Sequence, residues 1–460
     1  MIYITEPMSK TCVIIFILAS GVATICGQNP VLEKYIAEGV TSNLALKQRK
    51  MDYNQSLVAL KESRGLFFPD VSLNARYTLA DGGRVISFPV GDLLNPVYNT
   101  LNMLTGTAAF QEIENQEFSF YRPREHETKV SLVQPIYNSD IIHNNRIRQE
   151  YVELARVDME QYKRNLIREI KTAYYNYQKA WHLRTLLDST LLLVQENLRV
   201  SQRLYENNMV TVDAVFRSEA EVSSVQVEQA RAISQVQSAR SYFNFLINKP
   251  LDDEIERFSE DPGDFIISLE TAQEQAVDNR EEMAIVKRYQ SLNAHKRRMQ
   301  QGNATPDLFG TVDYGFQGEE YSFTGSDDFV LASLVLRWQL FQGMQNRNKV
   351  RQTFIEGEKL VQLLNETEQK IRMQVIDNYY KALAAYQAID AAKKQVRAAK
   401  KAFLLIDKKY RENQASLLEF IDARTSYTSA ASNLIITIND YFIRLAALEF
   451  AMAGINLEKY

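Results

Sequence analysis

The sequence predicts a mainly α-helical chain with a membrane β-barrel: long antiparallel helical hairpins forming a coiled-coil α-barrel, plus four transmembrane β-strands, within an internal two-fold repeat. Three observations predict this class. An apolar period of about 3.5 residues is sustained over two very long stretches. Alternation of period two follows each of two Pro-Asp dipeptides, Pro69-Asp70 and Pro306-Asp307. The whole pattern then occurs twice.

The repeat has a measurable register. Tyr379-Tyr380 stands 205 positions after Tyr174-Tyr175 (379 − 174), and Ser416 stands equally far beyond Thr211 (416 − 211). No insertion therefore separates the tyrosine pair from the polar break after it. The first hairpin runs from about Asn138 to a break at Glu206-Asn207-Asn208 and returns from Val212 to about Asn248. The second breaks at Glu412-Asn413 and returns from Leu417 to about Gly454.

Within the first hairpin Leu166, Ile170, Ala173, Tyr177, Ala180, Leu187, Leu191, Val194, Leu198 and Tyr205 follow steps of four and three, interrupted by Arg184 and Ser201. Ile371, Val375, Ala382, Ala385, Ile389, Ala392, Val396, Ala399, Phe403, Ile406 and Tyr410 do the same in the second, interrupted by Asn378. Roughly seventy residues at 1.5 Å each give a helix on the order of 100 Å long, which no globular domain needs. A spectrin-like or filament-forming coiled coil has the same period, so the flanking segments must decide.

Those flanks begin with helical patterns, predicted as single helices over Val31–Arg64 and Leu269–Gln301. Predicted strands follow. Phe67, Pro69, Val71, Leu73, Ala75, Tyr77 and Leu79 alternate with polar residues, as do Pro306, Leu308, Gly310, Val312, Tyr314 and Phe316. Their partners are Thr128–Tyr137 and Phe329–Phe341. Each strand is about ten residues, the length a tilted strand needs to cross a bilayer, with aromatic residues near an end. A soluble β-sandwich would alternate equally. In lipid, however, an open sheet leaves its edge N–H and C=O groups unpaired, and outer-membrane barrels start at about eight strands. Four strands can span only if several subunits share one barrel. Two chains would supply eight strands and three would supply twelve, and composition does not choose.

Between the first strand pair lies a long loop, residues 80–127, rich in Gly, Asn, Pro and aromatics; its counterpart, residues 318–328, is short and acidic. Long loops on one side of a barrel normally face outward. The linker between the repeats carries Asp252-Asp253-Glu254, carboxylates that suit either solvent or Ca²⁺.

A formal charge of −4 leaves no electrostatic footprint for nucleic acid. Residues 1–27 read as an export signal, with Lys10, the apolar run Val13–Ala19 and small residues up to Gly27. Cleavage there would remove both cysteines, Cys12 and Cys26. Met8 as the start and a lipoprotein anchored through Cys26 are alternatives, although Ile25 is bulky for the latter. No later segment has eighteen consecutive apolar residues. The histidines, His126, His143, His182 and His295, lie in no metal-ligand spacing, and no Gly-rich phosphate loop joins a strand to a helix. No catalytic, cofactor or metal residues are assigned, and the chain is not expected to be an enzyme.

The hairpin breaks are the candidate sites. Thr211 and Ser416 are expected helix N-caps, and Ser416-Leu417-Leu418-Glu419 fits a capping box. Asn208 and Asn413 stand where a left-handed residue would reverse the chain. Converging hairpins would repeat Asp213, Glu419 and Asp422 around an axis, a negative ring that favours cations.

Taken together, the chain resembles the TolC-like outer-membrane efflux and secretion channels over nearly its whole mature length. The resemblance is carried by the repeat, the Pro-Asp strand starts, the strand exits Gln134-Pro135-Ile136-Tyr137-Asn138 and Gln339-Leu340-Phe341-Gln342-Gly343, and a tip pattern matched at Tyr410, Ser416, Glu419, Phe420, Ile421, Asp422 and Ala423. It implies closure by trimerisation into a twelve-stranded barrel in the outer membrane of a Gram-negative bacterium, with a helical tunnel through the periplasm. It also implies a periplasmic adaptor protein and an inner-membrane pump as partners, docking at the tips through Asn207, Asn208, Met209, Val210, Thr211, Asn413, Gln414, Ala415, Ser416 and Leu417. Glu419 and Asp422 match acidic residues that ring the family's periplasmic entrance, and Tyr410 matches an aromatic that helps hold it shut. Asn208 and Asn413 replace the usual tip glycines, and Ala415 stands where a basic gate residue can occur.

The expected layout is a signal at 1–27, a first repeat at 28–250 with its tip near 206–213, a linker at 251–267, and a second repeat at 268–460 with its tip near 411–419. The implied function is the exit duct of a tripartite efflux pump. A type I protein-secretion duct and a secreted coiled-coil scaffold without a pore are the alternatives.

Overall fold

The computed structural model describes residues 29–321 and 325–460. The expected signal segment 1–27 lies outside the described residues, as do residues 322–324 of the acidic loop.

The chain forms two compact units. One comprises residues 29–53, 155–287 and 362–460, and the other 54–154 and 288–361. The elements in order are α1 (Pro30–Ser42), α2 (Leu44–Gly65), β1 (Asp70–Leu79), β2 (Val85–Phe88), α3 (Val90–Thr105), β3 (Gln116–Ser119), β4 (Arg124–Tyr137), α4 (Ser139–Glu206), α5 (Val212–Leu246), α6 (Leu269–Asn279), α7 (Glu281–Gly302), β5 (Asp307–Gly318), β6 (Asp328–Arg337), α8 (Gln345–Arg411) and α9 (Leu417–Ala451). The long helices α4 and α8 have 68 and 67 residues, and their return helices α5 and α9 have 35 each. Among the described residues no helix is long and apolar enough to cross a membrane.

In the first unit the core is the seam read from the 3.5-residue period. Leu166, Ile170, Ala173, Tyr177 and Ala180 of α4 are buried with Ile371, Val375, Ala382 and Ile389 of α8, joined by Phe243 and Leu246 of α5 and Tyr441, Leu445 and Leu448 of α9. Gly39 of α1 lies against this seam. A Cβ there would stand 2.4 Å from Ile170 Cδ1. The linker between repeats is laid on the tyrosine pair: Tyr174 Oη accepts from Phe258 N at 3.1 Å, and Tyr175 Oη donates to Glu260 at 2.8 Å. Glu260 is thus a hydrogen-bonded acid within that segment.

Each predicted flanking helix is in fact two. The first breaks at Asn43, whose Oδ1 accepts from Leu46 N at 2.9 Å while its Nδ2 donates to Leu246 O at 2.8 Å. The second breaks at Arg280, whose guanidinium donates to Gln374 Oε1 at 2.7 Å and sits over the Phe450 ring. Arg280 follows Asn43 by 237 positions (280 − 43), the spacing of Pro306 from Pro69. Apolar periodicity runs through both breaks, so only the partner across the gap reveals them.

In the second unit β1, β4, β5 and β6 form one antiparallel sheet in the order β1-β4-β5-β6. Its register stacks Leu73, Val130, Tyr314 and Val330 in one cross-strand row and Val71, Leu132, Val312 and Ala332 in another. That face is apolar and open: Leu73 is 72% exposed, Val330 69% and Leu334 68%. The opposite face carries Lys129 within 3.0 Å of Glu127 and 3.4 Å of Asp313. A β-bulge lies between Pro135 and Tyr137, where proline's missing N–H does least harm.

The strand limits differ from the predicted ones for local reasons. Phe67 N and Phe68 N bond back to Arg64 O and Gly65 O, which delays β1 to Asp70. Opposite Leu79 the ladder continues to Arg124, so β4 begins before Thr128. Arg337 already pairs with Asp307, the first residue of β5, so β6 has no partner beyond it, and Trp338 Nε1 instead donates to Ala304 O at 3.0 Å.

Residues 80–127 are not a loop alone. They hold the antiparallel strand pair β2–β3 and, between those strands, α3, whose Asn95 and Asn102 each donate to and accept from the returning main chain, at Ile113 and Phe110. Side-chain amides on one helix face thus stand in for a neighbouring strand. They leave Leu93, Val97 and Leu104 of α3 exposed.

Gly315 is the tightest point of the sheet. A Cβ there would lie 2.5 Å from both Thr128 O and Lys129 Cβ. Gly315→Val is therefore expected to separate β5 from β4 and lower the unfolding midpoint of the protein in denaturant, whereas Gly325→Ala, with open space around its Cβ position, leaves the midpoint unchanged.

Candidate functional site: the two hairpin tips

Both tips turn by the same hydrogen-bond pair. Asn208 N donates to Tyr205 O at 2.9 Å and Met209 N to Leu204 O at 2.8 Å; in the second copy Asn413 N donates to Tyr410 O at 3.0 Å and Gln414 N to Lys409 O at 2.8 Å. This is a Schellman closure with its reversing residue left-handed, at φ 58° for Asn208 and 56° for Asn413. Asparagine bears that conformation at modest cost, which lets it stand where glycine would be easiest. The same closure recurs where the hairpins end, at Asn248 and Ala453, again 205 positions apart (453 − 248).

The caps after the turns are unequal. At the second tip Ser416 Oγ accepts from Glu419 N at 3.3 Å, and Glu419 Oε2 accepts from Ser416 N at 2.7 Å and from Ser416 Oγ at 2.9 Å, a full capping box. The hydrogen bonds from the Ser416 main chain and hydroxyl hold the Glu419 carboxyl below its usual range. At the first tip Thr211 occupies the N-cap position but makes no capping bond, a correction to the sequence expectation. Its hydroxyl donates instead to the Asp213 carboxylate, which also faces Arg217 at 3.6 Å.

Asp213, Glu419 and Asp422 are exposed, as are Asn207, Asn208, Met209, Thr211, Asn413, Gln414 and Ser416, while Val210, Ala415 and Leu417 are half-buried. Among the described residues Asp422 has no ion-pair partner, whereas Asp213 and Glu419 are each engaged on their own helix.

Tyr410 lies elsewhere, buried beneath the tip at 3% exposure with Phe403 and Phe420. Its ring centroid is 5.2 Å from that of Phe420, and Leu204, Ala415 and Leu417 close around the cluster. The phenol completes a polar chain through this apolar knot. Ser218 Oγ donates to Ala214 O at 2.9 Å, so it accepts from Ser201 Oγ at 2.9 Å, and Ser201 in turn accepts from Tyr410 Oη at 2.9 Å. Burial pushes the Tyr410 phenol above its ordinary range, against the hydrogen bond with Ser201, so it stays protonated as a donor must.

Sequence reading missed Ser201 and Ser218. The only trace was Ser201 interrupting the apolar seam. It also missed Arg424, buried one turn beyond Phe420 and paired with Glu221, which ties α9 to α5. Burial holds the Arg424 guanidinium below its ordinary range. Among the described residues no three His, Cys, Asp or Glu side chains are grouped to hold a metal ion.

Residues 271–454 match the family model described as outer membrane efflux protein. No curated protein matches the sequence. Among solved structures, the CmeC outer membrane channel of Campylobacter jejuni superposes with a TM-score of 0.76 at 13% identity, covering 92% of this chain and 86% of that one. The outer membrane protein VceC of Vibrio cholerae gives 0.74 at 14% identity, covering 92% and 96%. The MtrE outer membrane channel of Neisseria gonorrhoeae, in its open state, gives 0.72 at 15% identity, covering 92% and 89%. The chain thus shares the fold of these outer membrane channels over nearly its whole length, and residues 271–454 carry the match to the outer membrane efflux protein model.

Proposed function

We propose that the chain is the outer-membrane exit duct of a tripartite efflux pump, a homotrimer that conducts substrates passively from a periplasmic adaptor and inner-membrane pump to the outside. The observation that carries this reading is the four-stranded sheet with an apolar face in the open and two bare edges, β1 and β6. Lipid accepts such a face and rejects such edges, so the edges must pair with those of sister subunits. Three copies make a twelve-stranded barrel in outer-membrane lipid, as the family resemblance implies. The repeated hairpins present their tips to the adaptor, through residues 207–211 and 413–417. No catalysis is required. The tip is a closed state that the adaptor-bound pump opens by binding the open state preferentially.

In this trimer Asp422, with Glu419 and Asp213, forms the acidic ring at the constriction. Purified protein in planar bilayers is expected to prefer cations, and Glu419→Ala with Asp422→Ala to lose that preference; an unchanged preference removes these residues from the gate. The pH dependence follows from Glu419. Its folded carboxyl titrates below the ordinary 4.5, so its charge is in place above that value and is lost only as pH falls past it. Cation preference at pH 5 should therefore match that at pH 7 as far as Glu419 supplies it. A protein that is monomeric and monodisperse without detergent would instead be a coiled-coil scaffold.

A further inference from the structure

Three exposed arginines lie at the loop-bearing end of the β1–β4 strand pair. β1 runs into the 80–123 insertion, and the insertion returns into β4 at Arg124, opposite Leu79. The neck is drawn together by Ala80 N donating to Pro123 O at 3.1 Å and Phe120 N to Arg84 O at 2.8 Å. Arg84, Arg122 and Arg124 are all exposed there, and among the described residues none has a carboxylate within ion-pairing distance. At the same end of the sheet, the turn between β5 and β6 exposes Glu319, Glu320 and Asp328.

Topology decides which acid meets which base. Within one chain the order β1-β4-β5-β6 sets β6 three strand spacings from β1, about 14 Å at about 4.8 Å each. In a shared barrel, β6 of one copy lies a single spacing from β1 of the next. The two run antiparallel, so Asp328, at the start of β6, comes beside the end of β1 where the arginine neck begins.

We infer that the neck of the insertion is a subunit clasp: Arg84, Arg122 and Arg124 engage Glu319, Glu320 and Asp328 of the neighbouring copy across the β1–β6 seam. The occupant of this basic surface is a second copy of the chain, chosen by charge complementarity and by the strand order. The inference rests on the shared-barrel reading above. It adds that the seam is locked beyond the strand ends by the long insertion, the very feature in which the two repeats differ.

Two measurements on the full-length protein in detergent test it. Arg84→Glu, Arg122→Glu and Arg124→Glu together should lower the temperature at which the oligomer dissociates by about 1–3 °C, the effect of losing several exposed pairs in each interface. Adding Glu319→Lys, Glu320→Lys and Asp328→Lys on the same chain should restore it. Independently, Arg122→Cys with Asp328→Cys should, on oxidation, give crosslinked oligomers on denaturing gels that neither single variant gives. An oligomer of unchanged stability that yields only monomer on those gels overturns the clasp and leaves the shared barrel standing. Charge reversal that abolishes binding to vesicles containing phosphatidylglycerol, without rescue by the reversed turn, also overturns it and assigns the arginines to lipid phosphates. A protein that is monomeric in detergent before any substitution fails at the barrel itself.

Discussion

Arg164→Ala is expected to destabilise the first unit by about 3–5 kcal/mol, the cost of leaving one partner of a buried ion pair without the other. Arg164 of α4 and Glu281 of α7 are buried together, with side chains 8% and 7% exposed. Arg164 Nε donates to both carboxylate oxygens at 2.9 and 3.1 Å, and its Nη1 donates to Ala453 O at 3.1 Å and Ile455 O at 2.8 Å. One guanidinium therefore satisfies a carboxylate from the start of α7 and two carbonyls of the segment that follows α9. Removing it strands all three. Replacing both charges, as Arg164→Met with Glu281→Leu, should recover part of the loss because no unpaired charge is left, although the two carbonyls still lack a donor. Denaturant unfolding of the parent, Arg164→Met, Glu281→Leu and the double variant measures this as a double-mutant cycle. A single-variant loss below about 1 kcal/mol would show the pair to be hydrated in solution and to contribute little to the fold.

Tyr410→Ala is expected to have the largest effect on conduction. The ring is buried against Phe420, and truncating a buried aromatic costs about 3–5 kcal/mol of packing. On the proposed gate, whatever part of that packing exists only in the closed tip biases the equilibrium toward opening. A bias of about 3 kcal/mol corresponds to opening favoured on the order of 100-fold. Single-channel recording in planar bilayers reads this directly as open time without added partners. Tyr410→Phe keeps the ring and deprives Ser201 of its donor, which costs about 0.5–1.5 kcal/mol and should shift open time far less. If both variants gate like the parent while Tyr410→Ala remains a folded oligomer, the aromatic knot is scaffolding and the constriction lies elsewhere.

These outcomes separate two layers of the molecule. The hairpins, their reversals at Asn208 and Asn413, the capping box at Ser416 and the apolar rows of the sheet were legible in the residues alone. Each follows from a local rule: water exclusion writes a period of 3.5 into a helix pair and a period of two into a strand, and a left-handed turn selects its residue through main-chain sterics. The fold of residues 80–127 was not legible. α3 is held by asparagine amides that reach a segment some eight to eighteen positions away, a distance at which no periodicity speaks.

By itself, then, the sequence determined the helical hairpins, the repeat register and the alternating strands, because those depend on neighbours along the chain. Only the tertiary structure decided that Asn43 and Arg280 divide the flanking helices, that Thr211 serves Asp213 instead of capping α5, and that Tyr410 closes a polar chain onto Ser201. The physical reason is common to all three. A polar side chain takes the best partner within about 3 Å, and for these residues that partner is set by where other helices pass or by the rotamer chosen at the turn, not by the apolar pattern in which the residue sits.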